Sequence, residues 1–353
     1  MNSRRVGVVM GGASAEREVS LSSGQAVVRA LSEAGHDVVP VVLGTGADAL
    51  ETLSRAGIDV AFLALHGRFG EDGCIQGVLE WLRIPYTGSS VTGSALAMDK
   101  LKSKELFRLH NVPTPPYYTV DAERGLADLE ETHGSFGFPV IVKPRREGSS
   151  LGVSRATNFA ELAAAVERAR AYDSSVLVER FVAGREVHVG ILGDRVLGAI
   201  EVVPRHEIYD YTCKYTAGMT DYHLPARLGA ARYRGILNLA EQAAHALEAD
   251  GALRVDLIVT EGQNEYVLEV NTLPGLTPTS LLPKIAEAAG FDFVSLCESI
   301  LGRARLHNPG AERPRADVIS FPGQVPQEGE EAAYVAAGGR QRDGLRTQRS
   351  RTR

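Results

Sequence analysis

Hydrophobic positions recur along this chain in two rhythms. Short aliphatic runs, Val6 to Met10, Val38 to Leu43 and Val60 to Leu65, predict buried strands, each followed by a loop and then by helical spacing. The first helix is expected to start near Ser20 or Ser22, and another to cover Gly77 to Leu82. Strands alternating with helices predict an open α/β sheet with parallel strands. A lysine-bearing helix, Met98 to His110, then ends before Pro113.

From Tyr117 to Val182 the pattern runs strand, helix, strand, with Asn158 and Glu161 opening the helix as a capping box. Val187 to Leu192 and Val196 to Val203 read as an antiparallel pair. A long helix, Leu228 to Ala249, leads into two further strands, Leu253 to Val259 and Tyr266 to Asn271, joined as a hairpin at Gly262-Gln263-Asn264. A helix then begins near Thr279 or Ser280, and the last covers Phe291 to Gly302. Beyond His307, Pro, Gly, Glu and Arg replace apolar periodicity, which predicts a disordered tail, with a binding arm as the alternative.

These breaks divide the chain into an α/β domain over 1–98, lobes over 99–183 and 184–308, and the tail over 309–353. With 353 residues, 44% of them hydrophobic, the chain can bury cores for two or three domains. A net charge of -6 argues against nucleic acid or an anionic membrane as partner, so clustered basic groups are expected to serve a local anionic ligand. No apolar run reaches the ~20 residues of a membrane span, and no signal segment precedes the first strand. Cys74, Cys213 and Cys297 lie far apart without CxxC spacing, which fits reduced thiols in a cytoplasm and argues against a zinc set.

Candidate chemistry concentrates in a few stretches. Val140 to Gly152, VIVKPRREGSSLG, delivers Lys143 at a strand end and continues into small residues whose backbone N–H groups can converge on a phosphate. A basic surface hairpin turn reads equally well, and without a GK[ST] ending the stretch is no Walker A loop. Glu16 lies in the first strand-end loop and His66 directly after the third strand. Each is read either as a ligand group or as an ordinary surface residue.

Glu179 interrupts an apolar strand, where a carboxylate needs a donor such as an adenine amino group. Asp256, Glu269 and Asn271 place three oxygen side chains on the hairpin, a set that suits Mg²⁺. A buried salt bridge between Asp256 and Arg254 is the alternative. The stretch between Pro204 and Pro225 carries four tyrosines and reads as a lid or as a disordered surface loop. Lys100 and its neighbours Lys102 and Lys104 read as a solvated helix face unless Lys100 turns toward the phosphate loop.

Taken in order, GGASAEREVSL, LHGRFGEDG, TGS…MDK, VIVKPRREGSSLG, YDYTCKY, RVD and LEVNTLPGLTPTSL resemble the D-alanine:D-alanine ligases of the ATP-grasp superfamily, from about Arg5 to Arg303. The resemblance implies an α/β fold, α+β in its ATP-grasp part, with an N-terminal open parallel-sheet domain and a two-lobed ATP-grasp unit. It implies ATP as co-substrate, two Mg²⁺ or Mn²⁺ ions, two molecules of D-alanine, a homodimer, and a cytoplasmic role in peptidoglycan precursor synthesis. Lys100, Lys143 and Lys214 would meet phosphates, Ser149 would belong to the covering loop, Glu179 and the Val182 backbone would meet adenine, and Glu186 the ribose.

By the same resemblance Asp256, Glu269 and Asn271 would hold the metal, and Arg254 and the Gly275 N–H would stabilise an oxyanion. Glu16, oriented through hydrogen bonds involving Ser149 and Tyr215, would bind the ammonium of the first D-alanine near His66. Ser280 and the Leu281 backbone would clamp the carboxylate of the second. Tyr215 favours an amine over the hydroxyl acceptor of depsipeptide-forming relatives, which lack that tyrosine. Arg180 and Phe181 stand where lysine and tryptophan also occur, and Arg145-Arg146 is more basic than usual.

Overall fold

The computed structural model describes residues 4–308 except 47, 122, 124, 125, 205–218 and 263. Three sheets organise them. Strands β1 (Arg5–Gly11), β2 (Asp37–Leu43) and β3 (Val60–Leu63) are parallel, in the order β2-β1-β3. Period-2 alternation splits their side chains between two cores. Val6, Val8, Val60 and Phe62 pack under helix α1 (Arg17–Glu33), while Val9, Ala61 and Leu63 pack with Leu53 of α2 (Asp48–Arg55) and with Ile75 and Leu79 of α3 (Cys74–Leu82).

Helix α1 starts earlier than Ser20 or Ser22 because those serines do not cap it. The Ser20 hydroxyl donates to Ala64 O at 2.7 Å and accepts from Gly11 N at 2.8 Å, tying two strand ends together. α3 likewise begins before Gly77, at Cys74, behind Gly73 with φ of 91°. The single helix expected over Met98 to His110 is two, α4 (Val91–Met98) and α5 (Lys100–Leu109). Asp99 separates them by accepting from Leu101 N and Lys102 N, each at 3.1 Å, as the cap of α5.

The second sheet is antiparallel, β4-β7-β5-β6, from β4 (Tyr117–Asp121), β5 (Val140–Pro144), β6 (Ser154–Ala156) and β7 (Ser175–Arg180), with the short α6 (Leu129–His133) between β4 and β5. Helix α7 (Phe159–Ala169) covers one face, burying Val140, Val142, Val176 and Val178 against Leu162 and Val166. Asn158 caps α7 by accepting from Glu161 N at 3.0 Å. Alternation turns Ile141, Lys143 and Glu179 to the other face.

The third sheet, β10-β9-β8-β11-β12, is antiparallel throughout. Its strands are β8 (Arg185–Leu192), β9 (Arg195–Pro204), β10 (Thr220–His223), β11 (Ala252–Val259) and β12 (Glu265–Asn271). Part of the stretch expected to be a loop is therefore the edge strand β10, whose Thr220 and Tyr222 lie opposite Pro204 and Val202 of β9. Helix α8 (Ala230–Ala246) packs on this sheet together with Phe107 of α5. Helix α9 (Leu281–Ala288) lies on β8 and β9, and α10 (Phe293–Leu301) packs against α1, sharing a core with the first sheet. The proposed tail, Cys213, Lys214 and Tyr215 lie outside the described residues.

Candidate active site

Between the second and third sheets opens a cavity of about 400 Å³. Lys143 reaches it from the end of β5, Glu179 from β7, and Val182 from the turn after β7. Glu186 enters from β8, Asp256 and Glu269 from the β11–β12 hairpin, and Lys100 from the start of α5. The glycine-serine turn and the hairpin, distant in sequence, thus share one cavity. Lys100 spans it: its Nζ donates to Glu147 O at 2.5 Å and lies 3.4 Å from Glu269 Oε2. Asp99 fixes the base of that turn through two 2.7 Å bonds from Arg145.

Glu179 does not wait for an adenine donor. Its carboxylate sits 2.8 Å from Lys104 Nζ and 2.6 Å from Lys143 Nζ and is almost wholly buried. Burial would raise its pKa, but the two lysines overrule that and hold it at about 2. Lys104, expected on a solvated face, is fully buried. Sequence reading missed it although it lies one helical turn beyond Lys100, the spacing that puts both on one face of α5.

On the opposite wall Asp256 accepts from Arg254 Nε at 2.7 Å and Nη2 at 2.9 Å, pairs with His188 Nδ1 at 2.7 Å, and meets Asn271 Nδ2 at 3.2 Å. The salt bridge left open as an alternative is therefore present. Burial pushes the Asp256 carboxyl up, while Arg254 and His188 more than offset it and hold it far below the ordinary range. His188 also meets Glu186 at 3.2 Å, and it too escaped notice although it alternates with Glu186 on one face of β8.

Whether this wall suits a cation is decided by its donors. Asp256 and Glu269 are direct partners in the ladder, and Asn271 lies beside Asp256 with its nitrogen turned to that carboxylate, which leaves the amide oxygen as the third donor. Among the described residues no cluster of three or more His, Cys, Asp and Glu side chains could hold a metal, so Asn271 is needed. Two carboxylates and an amide oxygen fit a hard divalent cation.

A second group of residues lies where the glycine-serine turn meets the first sheet. Ser149 donates to the Glu16 carboxylate, and Ser149 and Ser150 adopt φ of 47° and 58°, a left-handed backbone that the turn must hold against steric cost. A Cβ on Gly148 would stand 2.6 Å from Glu16 Oε2, so glycine there permits the contact. Glu16 is buried, and so is His66, whose Nε2 sits 3.3 Å from Ser23 Oγ on α1. Burial lowers the His66 pKa against the pull of Glu16, which keeps the ring neutral.

Glu71, unnoticed in the sequence, accepts from Gly67 N at 2.7 Å, and burial, then repulsion from Glu16, pushes its carboxyl up to about 8. Nearby, the Ser280 hydroxyl lies 2.7 Å from Thr277 Oγ1 and accepts from Thr277 N at 3.1 Å, directly before α9, whose first N–H groups belong to Leu281 and its successors. A Cβ on Gly275 would stand 2.7 Å from Ser280 Oγ, so its bare backbone can approach a ligand there.

Two antiparallel sheets closing on one cavity, joined to a parallel-sheet layer, define the ATP-grasp class of fold. Models of the D-ala D-ala ligase N-terminus match residues 5–52 and 45–89, and a model of the D-ala D-ala ligase C-terminus matches 106–302. The D-alanine--D-alanine ligase of Geotalea uraniireducens (strain Rf4) is 50% identical over 308 residues, 87% of this chain and 97% of that one. A crystal structure of D-alanine--D-alanine ligase from Bacillus anthracis complexed with ATP superposes with a TM-score of 0.74 at 36% identity, covering 86% of this chain and 97% of that one. The VanG D-Ala:D-Ser ligase of Enterococcus faecalis gives a TM-score of 0.74 at 29% identity over 85% and 99% of the two chains. The chain belongs to the D-alanine--D-alanine ligase family.

Proposed function

We propose that this protein joins two D-alanines at the cost of ATP, releasing ADP and phosphate, to supply the dipeptide of peptidoglycan precursors. One observation carries the reading: the turn that borders the cavity lined by Lys100, Lys143, Asp256 and Glu269 also delivers Ser149 onto Glu16. Nucleotide and amino-acid sites are thereby joined through a single loop. The ATP-bound relative supports ATP as the ligand, and on the family resemblance the nucleotide is assigned to this cavity, with Glu179 and the Val182 backbone toward the base and Glu186 toward the ribose.

In the first step a carboxylate oxygen of D-alanine attacks the γ-phosphorus, the bond to the β-phosphate oxygen breaks, and ADP leaves. Two anions must approach, so Lys100 and Lys143 lower the repulsion while Glu16, oriented by Ser149, holds the substrate ammonium. Asp256, Glu269 and Asn271 would hold Mg²⁺ or Mn²⁺, which when bound neutralises phosphate charge and aligns the transfer. Lys214 and Tyr215, outside the described residues, are assigned to the phosphate and to the Glu16–Ser149 pair on the family resemblance.

In the second step the free amine of the other D-alanine attacks the acyl carbon, phosphate departs with the C–O bonding pair, and the N–H proton released as the amide forms is taken up by the departing phosphate. Arg254, clamped on Asp256, and the Gly275 N–H stabilise the tetrahedral oxyanion. Ser280 and the Leu281 N–H at the start of α9 hold the acceptor carboxylate. His66, buried beside Glu16, has its pKa lowered by burial against the pull of that carboxylate.

Among the described residues no helix is long and apolar enough to cross a membrane, and the enzyme is assigned to the cytoplasm, as the family resemblance implies. A homodimer is assigned to the face that leaves Trp81 90% and Leu50 55% exposed, an apolar surface beside α2 and α3. Its mass in solution tests this. ADP release measured with D-alanine, D-lactate, D-serine and L-alanine as acceptors tests the activity. D-alanine alone should support full turnover, and no ADP release with it would sink the reading.

A further inference from the structure

Lys100 and Lys143, the described lysines assigned to nucleotide phosphates, open onto the cavity, yet the most deeply buried lysine near it does not. Lys104 is wholly shielded from solvent, and its Nζ donates to Thr114 Oγ1 at 2.5 Å, lies 2.8 Å from Glu179 Oε1 and 5.6 Å from the Tyr117 ring centroid. Glu179 Oε2 in turn lies 2.6 Å from Lys143 Nζ, whose side chain does line the cavity. The result is a row, Lys104, Glu179, Lys143, running from the core to the nucleotide wall across three elements, α5, β7 and β5.

Charge arithmetic gives the row its meaning. Two ammoniums and one carboxylate leave a net charge of +1 at the cavity end. Without Lys104, the pair Glu179 and Lys143 would be neutral, with the lysine bound to a carboxylate that nothing else in the row compensates. Burial drives the Lys104 pKa down to about 8, against the pull of Glu179, so it remains an ammonium at neutral pH.

We propose that Lys104 is a positioning residue of the nucleotide site: by neutralising Glu179 from behind, it leaves the charge of Lys143 available to the phosphates. The inference rests on the reading of the cavity as an ATP site. It assigns to the core side of α5 a part in nucleotide affinity that no direct contact would reveal.

The test is ADP binding by calorimetry on the full chain with Mg²⁺, together with KM values for ATP and D-alanine. Lys104→Met should weaken ADP binding and raise the ATP KM about tenfold, while kcat and the D-alanine KM stay within about threefold. In the Glu179→Gln background the same Lys104→Met change should alter ADP affinity by less than about threefold, because no carboxylate remains for Lys104 to neutralise. A folded Lys104→Met with unchanged ADP affinity, or a tenfold loss when Lys104→Met is added to Glu179→Gln, overturns the proposal.

If Lys104→Met does not fold, Glu179→Gln and the double variant are compared. Equal ADP affinity supports action through Glu179, and a tenfold difference overturns it. A parent chain that turns over yet binds Lys104→Met-insensitive ADP removes this inference alone, whereas a parent that binds no ADP removes the nucleotide reading as well.

Discussion

The two walls of the cavity solve the same electrostatic problem differently. On the β7 side, Glu179 lies between two lysines; on the β11 side, Asp256 lies between Arg254 and His188. Each is a buried carboxylate whose burial alone would protonate it and whose cationic neighbours keep it ionised. The lysine wall uses compact point charges and closes on itself, so it shapes a charged surface. The arginine wall uses a planar guanidinium in a two-point clamp, which orients as well as neutralises, and it stands beside Glu269 and Asn271. On the proposed reading, similar charge balance serves affinity on one wall and chemistry on the other.

The largest effect should come from breaking the clamp. Arg254→Ala is expected to lower kcat by about 1000-fold while ADP still binds, because only the second wall is lost. Single-turnover ADP release and calorimetry separate the two, and near-normal turnover would remove Arg254 from the chemistry. Glu269→Gln should shift the Mg²⁺ activation curve about tenfold to higher concentration and leave the lysine row intact. An unmoved Mg²⁺ titration would count against the assignment of the hairpin.

The smallest effect sharpens the contrast through pH. The folded pKa of Glu179 is depressed to about 2, so its stabilisation is present above the ordinary carboxylate value and disappears as pH falls toward 2. Glu71 has the opposite sign. Its folded pKa is raised to about 8, so its contribution is complete below the ordinary value and is lost as pH climbs toward 8. Urea unfolding between pH 5 and 8 should therefore show stability falling with pH in the parent and a flatter slope in Glu71→Gln. Equal slopes would refute the assignment.

Much of this site could be read from residue order. The run Val140 to Val142 ending in Lys143 announced a strand that delivers a cation, and alternation in Tyr266 to Asn271 announced that Glu269 and Asn271 share a face. Less could be read where a residue's job depends on a distant partner. Asp99 looked like the interior of one helix, yet it ends one and caps the next while holding Arg145. Thr220 to His223 looked like loop because its strand character comes from pairing with β9.

Local chemistry thus determined which elements form, which side chains share a face and which family the chain resembles, since periodicity and backbone freedom act over a few residues. Only the tertiary structure decided that Lys104 is buried rather than solvated and that Glu179 is ion-paired with two lysines, whereas the contact of Ser149 with Glu16 was already implied by the resemblance. Those outcomes depend on which surfaces exclude water together, and desolvation, which sets the cost of every charge in this cavity, arises only when separate segments close on one another.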